Sequence, residues 1–244
     1  MARIFQTVVI SLIGGAVFWK LSNNYTDPSL SSKSFASKNG ALFFLAVSTF
    51  MTSFSPVLIT FPIEKPVFLK EQSNKMYSVF AHFLSRNIME LILISIGPIL
   101  NSLIVYWMID LRHGAGHFFM YLLISFLGSF AGNSYGLMVS SFFNSPKVAA
   151  GMLPIIAITA IVYSGLYKNR KDIPGWIVWL HYISPIKYTF IAYCRNEYNN
   201  TLAPIERLNF ELSLAVSLII LIALSIAARL IAFTVLSLSK AKLQ

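Results

Sequence analysis

Residues Phe61 to Arg86 read FPIEKPVFLKEQSNKMYSVFAHFLSR, which puts two glutamates and four basic residues into a chain where only 11% of all residues are charged. The sequence is apolar on both sides, from Gly40 to Phe61 before the block and from Ile88 to Ile109 after it. A helix crossing the hydrocarbon core of a bilayer needs about 20 mostly apolar residues, because no water is available there for its peptide groups. Both flanks are long enough. The polar block is therefore a connector between two membrane spans.

Four more stretches qualify, from Ile4 to Leu21, His117 to Val139, Val148 to Leu166, and Phe210 to Leu236. The 244 residues are 56% hydrophobic, more than a water-soluble core requires. The expected fold is an all-α membrane protein with six transmembrane helices. The first stretch has a single leading Arg3 and no small-residue cleavage pattern before Tyr25, so it reads as a retained span and not a secretory signal.

A formal charge of +10 would suggest a nucleic-acid partner in a soluble domain. Here the basic residues lie in short loops and at helix ends, where they sit among lipid headgroups, and no nucleic acid is expected. The single cysteine, Cys194, excludes an intrachain disulfide. Lys and Arg divide almost evenly between the two faces, so charge does not orient the chain. Two glycosylation tripeptides, at Asn24 and Asn199, fall on one face opposite the termini and place the termini in the cytosol, at the plasma membrane or an endomembrane.

Within the spans, polar and helix-breaking residues mark candidate sites. The third carries Ser95, Gly97, Pro98, Asn101 and Ser102, a polar kink that suits either a translocation path or helix packing. The fourth repeats Gly128, Gly132, Gly136 and Ser140 every four residues, a ridge that lets another helix approach closely, most simply one of the same chain. Arg229 lies deep in the last span and is expected to snorkel toward Lys240 and Lys242. Between the fifth and sixth spans, DIPGWIVWLHYISPIKYTFIAYCRNEY (Asp172 to Tyr198) is aromatic but broken by Pro174, His181, Pro185 and Lys187. It reads as two short helices at the interface.

The opening block is expected to hold two ordered pieces. Pro62 and Pro66 end the helix of the second span, and Glu64 to Glu71 form a short helix with Pro66 in its first turn. A second helix with apolar Met76, Phe80, Phe83 and Leu84 runs into the third span, and Arg86 pairs with Glu90 four residues on. A plain loop needs fewer residues, so the block suggests a docking partner in the cytosol.

Taken together, NGALFFL (Asn39 to Leu45), EKPVFLKEQSNKMYSVFAHFLSR (Glu64 to Arg86), YWM (Tyr106 to Met108), SGLY (Ser164 to Tyr167), PGWIVWLHYISPIKY (Pro174 to Tyr188) and NEY (Asn196 to Tyr198) resemble the membrane domain of the G (White-like) subfamily of ABC transporters. The resemblance covers nearly the whole chain in order. It implies a half-transporter membrane domain of the ABC-2 type that forms a homodimer or heterodimer and exports lipophilic small molecules using ATP. By the same resemblance the Glu64 to Tyr77 stretch couples to a nucleotide-binding domain, with Glu64, Phe68, Glu71 and Tyr77 as the coupling residues, within a cytosolic block spanning 62–87. Pro174 to Tyr193 would be the re-entrant part of an external segment spanning 167–209. Thr52, Ile158 and Ile161 would face the substrate cavity, joined by Ser95 and Pro98 of the kinked span, and Leu166 and Tyr167 would form the external gate.

The chain departs from the family at Tyr167, where some relatives have a second leucine, and at Thr52, where some have an aromatic residue. The family's external cysteines are also missing. No G-x-x-x-x-G-K-[ST] phosphate loop occurs, so no catalytic residue and no cofactor are assigned to this chain. ATP and Mg²⁺ would be held by a nucleotide-binding domain in a longer form of the chain or in a separate one. A rival reading is a truncated, non-transporting partner that dimerises with full-length half-transporters and regulates them. A channel lacks an acidic or carbonyl-rich filter sequence. An intramembrane enzyme lacks a His, Asp or Glu pair at metal-ligand spacing within a span, and His113 with His117 reads as interfacial, so no metal is assigned.

Overall fold

The computed structural model describes residues 2–20, 32–74, 77–166, 174–198 and 212–241. Within these the elements are all helices: α1 (Ala2–Val17), α2 (Ser32–Ser73), α3 (Val79–Ile109), α4 (Ala115–Ser141), α5 (Pro146–Val162), α6 (Val178–Ile183), α7 (Pro185–Tyr198) and α8 (Leu214–Ala241). Helices α2, α3, α4 and α8 are long and apolar enough to cross a membrane, while the apolar helices Ile4–Val17 and Pro146–Val162 are shorter. The protein is an all-α integral membrane protein. The broken aromatic segment forms two short helices, α6 and α7, as its prolines suggested.

One expectation fails in α2. Pro62 and Pro66 do not end the second span; with Pro56 they lie inside one continuous helix of 42 residues. A proline costs about 3 kcal/mol in a helix interior, but the flanking residues are held on both sides of it. Val57, Leu58, Phe61 and Phe68 are buried, and Lys65 donates to the Ser141 carbonyl at 2.7 Å. At Pro56 the alternative is worse still, because unwinding in lipid leaves peptide groups unsatisfied at several kcal/mol each. At 1.5 Å per residue, roughly 60 Å of helix exceeds a hydrocarbon core of about 30 Å. The excess is an overhang that carries Glu64 to Gln72 beyond the apolar part of the helix.

The turn after α2 is closed by local chemistry. Ser78 caps α3 by accepting from the Ala81 amide at 3.2 Å. At its other end α3 stops at Asp110, which takes the left-handed conformation (φ 63°) and returns its N–H to the Tyr106 carbonyl.

The glycine ridge of α4 decides the packing. A Cβ on Gly132 would collide with the Phe50 carbonyl oxygen of α2, and one on Gly136 would lie 2.8 Å from that of Phe54. The ridge thus seats α2 of the same chain, the most extensive helix pair in the fold. Around this seam the core gathers Phe50, Phe54, Tyr121, Phe190 and Tyr193, with Phe50 and Tyr135 edge to face at 6.2 Å.

The second correction is Arg229. It does not snorkel. Its side chain is buried in the bundle, where Nε donates to Ser134 Oγ (2.8 Å), Nη2 to Asn133 Oδ1 (3.0 Å) and Nη1 to Asn87 Oδ1, with the guanidinium 4.2 Å from the centre of the Phe130 ring. Four neighbours therefore replace the water that snorkelling would have supplied.

Candidate functional site

The α2 overhang and the start of α3 form a helical hairpin. Phe68 is buried beneath it, 4.5 Å from the His82 ring and 6.4 Å from that of Tyr77, and Tyr77 and His82 stack at 5.5 Å. The Tyr77 phenol donates to the Glu71 carboxylate, and Gln72 Nε2 donates to the Tyr77 carbonyl at 2.9 Å. Burial pushes the Tyr77 phenol up to about 12, with the bond to Glu71 and the charge of that carboxylate adding to it, so the phenol is a fixed donor at neutral pH.

Glu64 lies two turns before Glu71 and is exposed. It pairs with Arg86, which also binds Glu90 at 3.1 Å, the contact expected from their spacing, and sits 4.8 Å from the Phe61 ring. Three of the four residues expected to couple, Phe68, Glu71 and Tyr77, thus meet in one cluster. Glu64 joins the same hairpin through Arg86. The Glu64–Arg86 ion pair, the Tyr77–Glu71 bond and the Phe68–His82 ring contact tie the overhang to α3 and to the turn before it.

The residues expected along the substrate path are less concentrated. Thr52 and Pro98 share a narrow crevice between α2 and α3, closed by Thr7 of α1 and Ser129 of α4. Thr52 spends its hydroxyl on the Ser48 carbonyl of its own helix at 2.9 Å, and Ser95 does the same with Ile92 at 2.7 Å. Asn101 ties α3 to its neighbours, donating to Ser11 Oγ at 3.0 Å and accepting from the Tyr121 phenol at 3.1 Å. Ile158 is 61% exposed on α5, while Ile161 and Leu166 are partly buried and pack against the main core. Tyr167, Asn24 and Asn199 lie outside the described residues.

A polar cluster at the other end of the bundle was not anticipated as a unit. Lys38 and Glu197, 7% and 3% exposed, form an ion pair of 2.8 Å, and Glu197 accepts the Arg112 backbone N–H at 3.1 Å. Asn196 Nδ2 donates to the His117 carbonyl at 3.0 Å, and Tyr198 donates to Asn39 Oδ1 at 2.8 Å. The NEY run and the start of NGALFFL are each visible in the sequence, but only the fold brings them together. His113 pairs with Asp110 at 2.8 Å at the same end.

Comparison with known proteins agrees with this architecture. The family model described as ABC-2 type transporter matches residues 1–198. ABC transporter G family member 2 of Dictyostelium discoideum is 31% identical over 219 residues, covering 86% of this chain and 16% of that protein. Protein white of Drosophila melanogaster is 30% identical over 187 residues, 76% of this chain and 26% of its own length. The broad substrate specificity ATP-binding cassette transporter ABCG2 of Sus scrofa is 28% identical over 199 residues, 81% of this chain and 29% of its own. The chain thus spans less than a third of each of these relatives.

Proposed function

Since the chain belongs to the ABC-2 type transporter family and forms a transmembrane domain like those of the G and White proteins, we propose that it is the membrane half of an ATP-driven exporter. A nucleotide-binding domain, in the same longer chain or in a separate one, binds ATP and Mg²⁺ and docks on the α2–α3 hairpin. Two such membrane domains, identical or related, enclose a path for a lipophilic small molecule. The termini face the cytosol.

The observation that carries this reading is the hairpin itself. Phe68, Glu71 and Tyr77 fix the overhang of α2 to the entry of α3 at a point where a loop of a few residues would have sufficed to connect two spans. Such a stiff extension gives a docked domain a lever on both helices. Closure of the nucleotide-binding domains around ATP would move the lever and switch access to the path from one face of the membrane to the other.

The test is ATP-dependent accumulation of a lipophilic fluorescent probe in inverted vesicles containing the native transporter. Charge reversal at Glu64 or Glu71 is expected to leave membrane insertion and ATP hydrolysis intact while uptake falls. Equal uptake by wild type and both variants would remove the coupling role.

A further inference from the structure

Among the described residues the hydrogen bonds of the Arg229 guanidinium all go to neutral oxygens, those of Asn87, Asn133 and Ser134. Yet a carboxylate stands nearby. Glu90 lies three residues beyond Asn87 on α3, one turn along the same face, and is close enough to act electrostatically on Arg229. One of its oxygens, Oε1, is taken by Arg86, while Oε2 is buried and has no hydrogen-bond partner among the described residues. Asn133 Nδ2, on the amide whose oxygen receives Arg229, is also buried and has no partner among the described residues.

Two unpartnered polar atoms beside one buried cation describe an arrangement with a competitor. Leaving a buried acceptor unsatisfied costs about 1–3 kcal/mol, more when it is charged. Arg229 can relieve Glu90 Oε2 by leaving its neutral ligands, which then lose their donor, so the two arrangements oppose comparable terms. Glu90 is in turn tied through Arg86 to Glu64 on the α2 overhang.

We propose that Arg229 is a positioning residue of the transport cycle which exchanges between two sets of partners, the amides and hydroxyl of Asn87, Asn133 and Ser134 in the conformation seen here and the Glu90 carboxylate in the other. The proposal rests on the reading of the α2–α3 hairpin as the coupling element. Movement of the overhang draws Arg86 away from Glu90, the freed carboxylate takes Arg229, and α8 shifts against α4. A displacement at the membrane surface thereby becomes a change of helix packing inside it, with packed helices behaving as a two-state element.

The experiment measures the distance between nitroxide labels at Val67→Cys on the overhang and Leu238→Cys near the end of α8, both exposed, in the native transporter with buried Cys194 left in place. Wild type is expected to change its label distance on addition of ATP with vanadate. Glu90→Gln keeps every contact of Arg229 seen here but removes the competing charge, and its distance is expected to stay at the nucleotide-free value. Arg229→Lys has the opposite bias, because an ammonium cannot span three separate oxygens but still pairs with a carboxylate, and its distance is expected to move toward the nucleotide-bound value without nucleotide. A Glu90→Gln protein that shifts like wild type, a wild type that does not shift, or two variants displaced in the same direction would overturn the exchange. A water bridging Glu90 and Asn133 as a fixed structural element would give the first of these results. Vesicle uptake by wild type is read separately, so a failure of the transport reading is not confused with a failure of the exchange.

Discussion

Tyr198 donates a 2.8 Å hydrogen bond to Asn39 although the two residues are 159 positions apart. That bond joins the end of α7 to the start of the second span, and beside it the Lys38–Glu197 ion pair makes the same connection with charge. The segment between α5 and α8 is therefore fastened, at the end of α7, to the helix whose other end carries the α2–α3 hairpin.

Breaking the pair on one side should be costly. Lys38→Met takes the ion-pair partner from the buried Glu197, and loss of one partner of a buried pair typically costs about 3–5 kcal/mol. Lys38→Met with Glu197→Gln removes both charges and should recover most of the loss. Thermal unfolding in detergent of wild type, the single variant and the double variant distinguishes these outcomes.

Packing along α4 gives a second prediction. Gly132→Ala places a Cβ against the Phe50 carbonyl, and backbone cannot step aside as a side chain can. Overpacking of this kind costs about 1–3 kcal/mol or more. Gly116→Ala, on the same helix with nothing within 4 Å, should instead be neutral or mildly stabilising, as alanine is the better helix former. Paired melting curves of the two variants check the contrast.

The small-residue ridge is legible because helical periodicity shows which residues share a face. It does not show what meets that face. Arg229 illustrates the limit: its acceptors Ser134, Asn133 and Asn87 are 95, 96 and 142 positions away, so the sequence offers only a costly cation and two lysines further on. Pro62 and Pro66 mislead for a related reason. Their cost is local and plain, while the burial of Phe61 and Phe68 and the Lys65 contact to the end of α4 that outweigh it are tertiary. In the candidate site the Arg86–Glu90 pair is legible from its four-residue spacing, whereas Glu71 and Tyr77 are singled out only by the family resemblance, which does not pair them. Lys38 escapes notice because nothing local to it announces a partner.

The Tyr77 phenol should leave a mark at alkaline pH. Its acidity in the folded protein is shifted to about 12, above the ordinary 10, so the folded state holds the proton more tightly than the unfolded chain. The sign follows directly: the contribution to stability is complete below about pH 10 and is lost as pH rises through about 12. Tyr77→Phe should lose the Glu71 bond at every pH and be less stable than wild type near neutrality, with the gap narrowing over that alkaline window. Unfolding of both proteins across the range measures it.

Glu64 and Arg86 offer the sharpest test of the lever. Glu64 is more than half exposed, and exposed ion pairs contribute about 0–1 kcal/mol, so Glu64→Arg should barely change the melting temperature. It does place two cations together where α2 and α3 are tied, and uptake into vesicles is expected to fall while ATP hydrolysis continues. Arg86→Glu carries the opposite defect and adds another, since Glu90 loses its partner and faces a like charge. The swap Glu64→Arg with Arg86→Glu rebuilds the link between the helices, so uptake should recover part of the way from the level of either single variant. Repulsion between Glu90 and the carboxylate newly placed at position 86 sets the shortfall. If the swap is no better than the worse single variant while its melting temperature matches wild type, the pair does not transmit motion, and the link between overhang and α3 rests on Phe68, Glu71 and Tyr77 alone.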